Sequence, residues 1–199
     1  MLDVRRDLGR IFRGLDGYRI PSAERRRVQL ARSTATYGEL QPTATRRLLE
    51  HLVPDATDVF YDLGSGIGQV ALHAALATRV SRSIGIEIVR TRHDLAVLAC
   101  ARAREAGFDR ARACEFRCQD FLRCGLSDAT LVYTCSTAFP APLMAALTRR
   151  LSRGRSGLRL ATLQALPENP WFSAPIILRL DTTWRRRVPV HVYTLGRPG

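Results

Sequence analysis

"FYDLGSGIGQVALHAA", residues 60–75, passes from an apolar strand-like run through a loop with a glycine at every second position and into a helical pattern. Glycines placed directly after a strand and before a helix let the backbone approach a ligand closely, and the helix start offers unpaired N–H groups. The stretch therefore predicts a cofactor loop. A dinucleotide fingerprint is spaced G-x-G-x-x-G, whereas Gly64, Gly66 and Gly68 bring the third glycine one position early, which weakens a nicotinamide reading. Asp62, two residues ahead of Gly64, would repel a pyrophosphate and attract a cation such as the ammonium or sulfonium of S-adenosylmethionine.

Outward from this loop, strand and helix alternate. "DVFYDL", "SIGIEI", "CEFRCQDF", "ATLVYTCS" and "GLRLATL" predict strands, and "IGQVALHAALAT", "TRHDLAVLACARAREAG" and "PAPLMAALTRRLS" predict helices, the second closed at Gly107. "PIILRLDTTW" and "VPVHVYTL" predict two closing strands around the basic turn Arg185–Arg187. Ahead of the loop, Leu8, Ile11, Phe12 and Leu15 have helical spacing, and "QPTATRRLLEHLVP" predicts a helix opened by Pro42 and ended by Pro54. The expected fold is α/β and Rossmann-like: a mostly parallel sheet with a terminal antiparallel hairpin, preceded by N-terminal helices. Residues 1–54 are expected to form a helical appendage ahead of the main domain in residues 55–199.

Strand ends in such sheets face the ligand, so the residues there are the next candidates. Glu87, 23 positions after Gly64, is placed to accept both hydroxyls of a ribose. Asp120 and Phe121 close the third strand with an acceptor for an exocyclic amine and an aromatic face, as an adenine needs. Taken together with Asp62 they suit a nucleoside without phosphates.

The bulk composition bounds what else the chain does. At 199 residues it has room for one sizeable core, and no apolar run reaches the roughly 18 residues of a membrane span. "MLDVRRDLGRIFRG" has no apolar segment of the kind a secretory signal needs, so a cytoplasmic protein is expected, or a nuclear one in a eukaryote. Five cysteines at irregular spacing predict reduced thiols, and no metal site is expected: Cys114, Cys118 and Cys124 suit a strand and its flank, and His51, His73, His93 and His191 have no partner at ligand spacing. The net charge is +13, and all 31 basic residues are arginine. Such an excess favours encounters with nucleic acid or with an acidic protein surface, although each cluster (Arg25–Arg27, Arg149–Arg155, Arg185–Arg187) also reads simply as a solvated face.

"TYGEL" at residues 36–40, followed by "FYDLGSGIGQVALHAA", "SIGIEI" and "CQDF", resembles the disruptor-of-telomeric-silencing family of histone lysine methyltransferases, the non-SET type built on the class I methyltransferase fold. The resemblance covers about residues 33–135 and suggests a compact, prokaryote-style relative. It implies a class I methyltransferase with S-adenosylmethionine as cofactor. It further implies that Thr36, Tyr37, Gly38 and Glu39 form a loop over that cofactor and that Asp62, Gly64, Ser65, Gly66 and Gln69 cradle its methionine part. Glu87 then holds the ribose, and Asp120 with Phe121 the adenine.

The chain departs from the family where an acceptor enters. In place of an asparagine pair followed by aromatics it has "TCSTAF", and of the closing tyrosine pair only Tyr193 is present. An acceptor channel lined by Tyr37, Phe139 and Tyr193, with Ser136 or Thr137 as a polar guide, is the expectation; Trp184 reads first as hairpin core and second as a channel wall. Cys135 lacks the preceding proline of a cytosine-methylating nucleophile, and no Asn/Asp-Pro-Pro-aromatic element for adenine methylation is present. The reading is protein lysine N-methylation by in-line transfer. A methyltransferase for a small molecule or RNA is the alternative, as is a basic nucleic-acid-binding or partner-binding module with a vestigial pocket.

Overall fold

Four successive residues of "VFYDL", from Phe60 to Leu63, are at most 2% exposed, so this strand is covered on both faces, as a central parallel strand must be. In the computed structural model, which describes residues 4–30 and 36–196, this strand, β1 (Val59–Leu63), lies between β2 (Arg82–Glu87) and β4 (Leu131–Thr134), parallel to both. β3 (Cys114–Cys118) extends the sheet beyond β2, and β5 (Arg159–Thr162) extends it beyond β4, again in parallel. The last two strands, β6 (Ile176–Leu180) and β7 (Val188–Thr194), pair antiparallel, and β7 inserts between β5 and β6. The order is β3-β2-β1-β4-β5-β7-β6. It reverses direction between β1 and β4, and the crevice beyond the carboxyl ends of those strands is where such sheets bind ligands.

Helices cover both faces. α3 (Pro42–Leu52) presents Leu48, Leu49 and Leu52 to Phe60, Leu131 and Val190 on one face of the sheet. α6 (Ala141–Leu151) presents Leu143 and Leu147 to Tyr61, Val132 and Leu160 on the other. Phe60 and Tyr61 thus fall in opposite cores, the two-residue period of a strand. α4 (Gln69–Ala77) carries no charge and is buried from Val70 to Leu76, while α5 (Arg90–Glu105) buries its small residues Ala96, Ala99 and Ala103. α5 ends in a Schellman motif: the Phe108 N–H reaches the Ala103 carbonyl, the Gly107 N–H reaches the Arg104 carbonyl, and Gly107 has φ +87°.

The N-terminal helices α1 (Val4–Ile11) and α2 (Ser22–Leu30) pack against this frame. Leu8 and Ile11, 1% and 3% exposed, share a core with Leu72, Ala75 and Ala99 of α4 and α5. Leu40 bridges to Thr182 ahead of β7, so the stretch just ahead of α3 is stitched to the hairpin turn. That crossing brings "TYGEL" over the glycine loop.

Candidate active site

The loop after β1 is fastened to β2 before any ligand is considered. The N–H groups of Gly64 and Ser65 both donate to the Ile86 carbonyl, at 2.8 and 3.0 Å. Glu87, at the end of β2, accepts the Gly66 N–H through Oε2 at 2.9 Å and the Val89 N–H through Oε1 at 2.8 Å. Gly66 has φ +56°, and a Cβ there would collide with the Tyr37 ring, so only glycine admits this approach.

Tyr37 is held from four sides. Its hydroxyl donates to the Glu39 carboxylate and accepts the Ile67 N–H at 3.4 Å. The Arg92 guanidinium lies 4.5 Å over its ring, and Tyr18 meets it edge-on with centroids 5.0 Å apart. Arg92 in turn donates from Nε to the Gly17 carbonyl at 2.8 Å, which ties the cover loop to the N-terminal segment.

Three carboxylates converge at this cover: Asp62 and Glu87 from the strand ends and Glu39 from the cover loop itself. Burial raises all three above the usual carboxylate range, and the Asp62 carboxyl is raised further by the neighbouring charges of Glu39 and Glu87. Like charges in a dry site favour a cationic occupant. Beside them, Ser65 Oγ and Gln69 Oε1 are buried without a hydrogen-bond partner among the described residues, and both line a small cavity with Asp62 and Glu39. Buried polar atoms left unpaired are rare in native structures and point to a polar ligand at this spot. The donors, acceptors and charges fit the amino-acid end of S-adenosylmethionine.

Through Tyr37, Gly38, Gly64 and Cys135 this small cavity adjoins a larger one of about 340 Å³. Thr36, Glu87, Ile88, Val89, Phe121, Thr137, Phe139 and Trp184 are among the residues that line it. The rings of Phe121 and Phe139 stack with centroids 5.6 Å apart. The Cys135 thiol is pushed up to about 12, first by burial and then by Asp62, so it stays protonated near neutrality and offers no thiolate nucleophile. His73 is buried in α4 with its pKa lowered to about 4 by burial, and stays neutral.

The structure sets some expected residues apart from the cavity. Ser136 and Tyr193 do not line it. The chain after β4 winds into a short 3₁₀ turn, Ser136–Ala138, which turns Ser136 inward: its Oγ lies 2.6 Å from Thr162 Oγ1 and accepts the Gln164 N–H. Tyr193 pairs with Leu160 inside the sheet, and its hydroxyl accepts the Leu166 N–H at 3.0 Å. Asp120 is also absent from the lining; its carboxylate caps the Leu122 N–H at 2.8 Å and so turns Phe121 into the cavity. Trp184 stands in the turn before β7 rather than in a strand, and is 43% exposed at the cavity wall instead of core. A Cβ on Gly38 would overlap its ring.

Sequence reasoning passed over Arg92, Val28 and Gln164. Val28 and Arg92 reach the site through helix packing that no local motif announces. Gln164 donates from Nε2 to the carbonyls of Ser136, Thr137 and Phe139 at 2.5, 3.0 and 3.0 Å, and so fixes the strand-end turn that carries the cavity wall. Gln164→Leu leaves those carbonyls without that donor and is expected to lower unfolding free energy by about 1–2 kcal/mol in urea titration. An unchanged midpoint would show that water replaces the amide at no cost.

The family described as "Histone methylation protein DOT1" matches residues 19–171. The chain belongs to the DOT1 family. Among its DOT1 relatives, the histone-lysine N-methyltransferase, H3 lysine-79 specific, of Drosophila melanogaster is 31% identical over 137 residues, which is 65% of this chain and 7% of the relative. The Caenorhabditis elegans protein of the same description is 28% identical over 147 residues, 69% of this chain and 15% of that protein. The chain thus spans only a small part of these relatives' length. Of solved structures, an RNA methyltransferase from Salinibacter ruber in complex with S-adenosyl-L-homocysteine is 27% identical with TM-score 0.58, covering 79% of this chain and 93% of that one. The magnesium protoporphyrin IX methyltransferase of Synechocystis PCC 6803, with bound SAM, superposes with TM-score 0.61 at 13% identity, over 98% of this chain and 99% of that one. The fold of this DOT1-family chain is the class I methyltransferase fold.

Proposed function

We propose that this chain is an S-adenosylmethionine-dependent methyltransferase acting on the lysine amine of a protein. The observation that carries the reading is the buried carboxylate cluster with the unpaired Ser65 Oγ and Gln69 Oε1, opening directly into an aromatic cavity. When bound, the cofactor supplies an electrophilic methyl group on a cationic sulfur. Asp62, Gly64, Ser65, Gly66 and Gln69 hold its amino-acid end, Glu87 its ribose, and Phe121 its adenine, with Asp120 setting the Phe121 turn. Thr36, Tyr37, Gly38 and Glu39 cover it. On this reading residues 1–54 act as the cover and buttress of the methyltransferase domain in residues 55–199.

Tyr37, Thr137, Phe139 and Trp184 guide the acceptor. In-line transfer needs the amine about 3 Å from the methyl carbon with water excluded. An amine attacks only when neutral, and apolar walls favour the neutral form of a group whose ordinary pKa is near 10.4. Ser136 and Tyr193 support the wall from behind through Thr162, Gln164 and Leu166. The partner is a protein, and the +13 charge favours one that is acidic or bound to nucleic acid. No described helix is long and apolar enough to cross a membrane, and a cytoplasmic place of action, or a nuclear one in a eukaryote, belongs to the same proposal.

The test is label transfer from radiolabelled S-adenosylmethionine to a mixed protein fraction, total RNA and a small-molecule extract, each with calorimetric binding of S-adenosylhomocysteine as a control. The chain contains no lysine, so label recovered on lysine comes from the added protein. Label on protein lysine is expected. Label confined to RNA or small molecules would move the acceptor class, and cofactor binding without transfer would leave a binding module.

A further inference from the structure

Arginines stand in two segments that contribute to the cavity wall. In one, α2 sends Val28 into the cavity wall, and Arg25, one helical turn earlier, lies on the same side of the helix. Its charge is felt at Arg92, itself a lining residue. In the other, Trp184 forms the wall, and Arg185, Arg186 and Arg187 follow it directly, all exposed.

This second cluster is not a loose loop. Thr182 accepts the Arg185 N–H at 3.0 Å through Oγ1 and donates to the Arg185 carbonyl from both N–H and hydroxyl, at 2.9 and 2.8 Å. Asp181 accepts the Arg187 N–H at 2.8 Å, and Arg187 adopts a left-handed φ of 54°. The backbone that carries the arginines is therefore fixed by its own hydrogen bonds. Nearby acids are otherwise engaged: Glu24 binds Thr91, and Asp16 binds the Tyr18 N–H and Arg19. Among the described residues, Arg25, Arg185, Arg186 and Arg187 take part in no ion pair.

We infer that these arginines read the residues flanking the acceptor, and select a lysine with acidic side chains on both sides within an extended segment. The inference rests on the lysine reading above. An extended chain advances about 3.3 Å per residue, so carboxylates two or three positions from the acceptor reach the rim while the lysine enters the cavity. Flanking arginines or lysines meet like charge there. The same rim charge disfavours an incoming ammonium and so helps deliver a neutral amine. Separate clusters beside a pocket suit a short peptide, whereas a nucleic acid backbone calls for a continuous basic track.

The experiment uses three synthetic peptides with one central lysine and flanks of Asp/Glu, of Gln, or of Arg. Transfer (kcat/KM) and direct binding by fluorescence anisotropy are measured with the full chain and with Arg185→Glu/Arg187→Glu. The acidic-flank peptide is expected to exceed the arginine-flank peptide about tenfold at low salt, since each exposed pair contributes only a few-fold. The gap narrows at high salt, and the variant reverses the order at an unchanged melting temperature. Equal transfer to all three peptides would overturn the inference. So would a flat peptide order with tight, variant-sensitive binding of single-stranded RNA, which makes the rim a nucleic-acid surface. Charge-ordered binding without any transfer supports the rim and sinks the lysine reading instead.

Discussion

Asp62→Asn is expected to stabilise the ligand-free protein while weakening S-adenosylmethionine binding about ten- to hundredfold. Asp62 is 2% exposed and shares its site with Glu39 and Glu87, so its ionisation costs energy that no described cation offsets. A raised carboxyl pKa means the folded chain holds the proton to higher pH than the unfolded chain. The stability this contributes is complete below the ordinary carboxylate range and is lost as pH rises through the raised value. Removing the charge should therefore raise the melting temperature by about 3–6 °C at pH 8, and by little near pH 4, in thermal shift assays. The affinity loss has the size of a lost charge-assisted contact, about 1.5–3 kcal/mol. S-adenosylhomocysteine, which carries the same ammonium, should lose affinity in parallel, and both should bind the native chain more weakly as pH falls through the raised Asp62 value. A lower melting temperature at pH 8 would show that the carboxylate is needed by the fold and not by a ligand.

Gly66→Ala is expected to remove cofactor binding from calorimetric range with a modest loss of stability. The added methyl meets the Tyr37 ring at a backbone φ of +56°, and Tyr37 cannot swing aside without leaving Glu39, Arg92 and Tyr18 together. A left-handed conformation at a residue with a side chain costs about 1–2 kcal/mol by itself. The cover and the floor of the site would separate, so Tyr37→Ala in the same background should recover part of the stability but none of the binding. Retained affinity in Gly66→Ala would mean that the cover loop is not in contact with the ligand.

The seven strands and the principal helices were legible because strand-like and helix-like runs alternate and several have a marked end: Gly107 after α5, Pro54 after α3, and a glycine loop between β1 and α4. Asp62 and Glu87 were legible for the same reason, since residues at the carboxyl ends of parallel strands have a fixed destination. The acceptor side was less so. Ser136 and Tyr193 lie in the expected elements, but a 3₁₀ turn rotates one inward and sheet pairing buries the other, and neither outcome is encoded by spacing. Trp184 reads as core in any hairpin pattern until its place in the turn is known. Arg92 and Gln164 act on backbone carbonyls far away in sequence, 75 and 25–28 residues off, where local pattern carries no information.

The family match ends at residue 171, while β6, Trp184 and β7 lie beyond it. β6 is the outermost strand of the sheet, and its turn meets Tyr18 and the residues from Gly38 to Gln41. Trp184 therefore joins a cavity wall whose other aromatic members, Tyr37, Phe121 and Phe139, lie inside the matched region. A hairpin graft from another DOT1-family chain, carrying its own aromatic and its own rim charges, would be docked by the same edge pairing to β5 without disturbing the glycine loop. On the proposed reading, exchanging residues 172–196 would replace Trp184 and the Arg185–Arg187 turn while leaving the glycine loop in place.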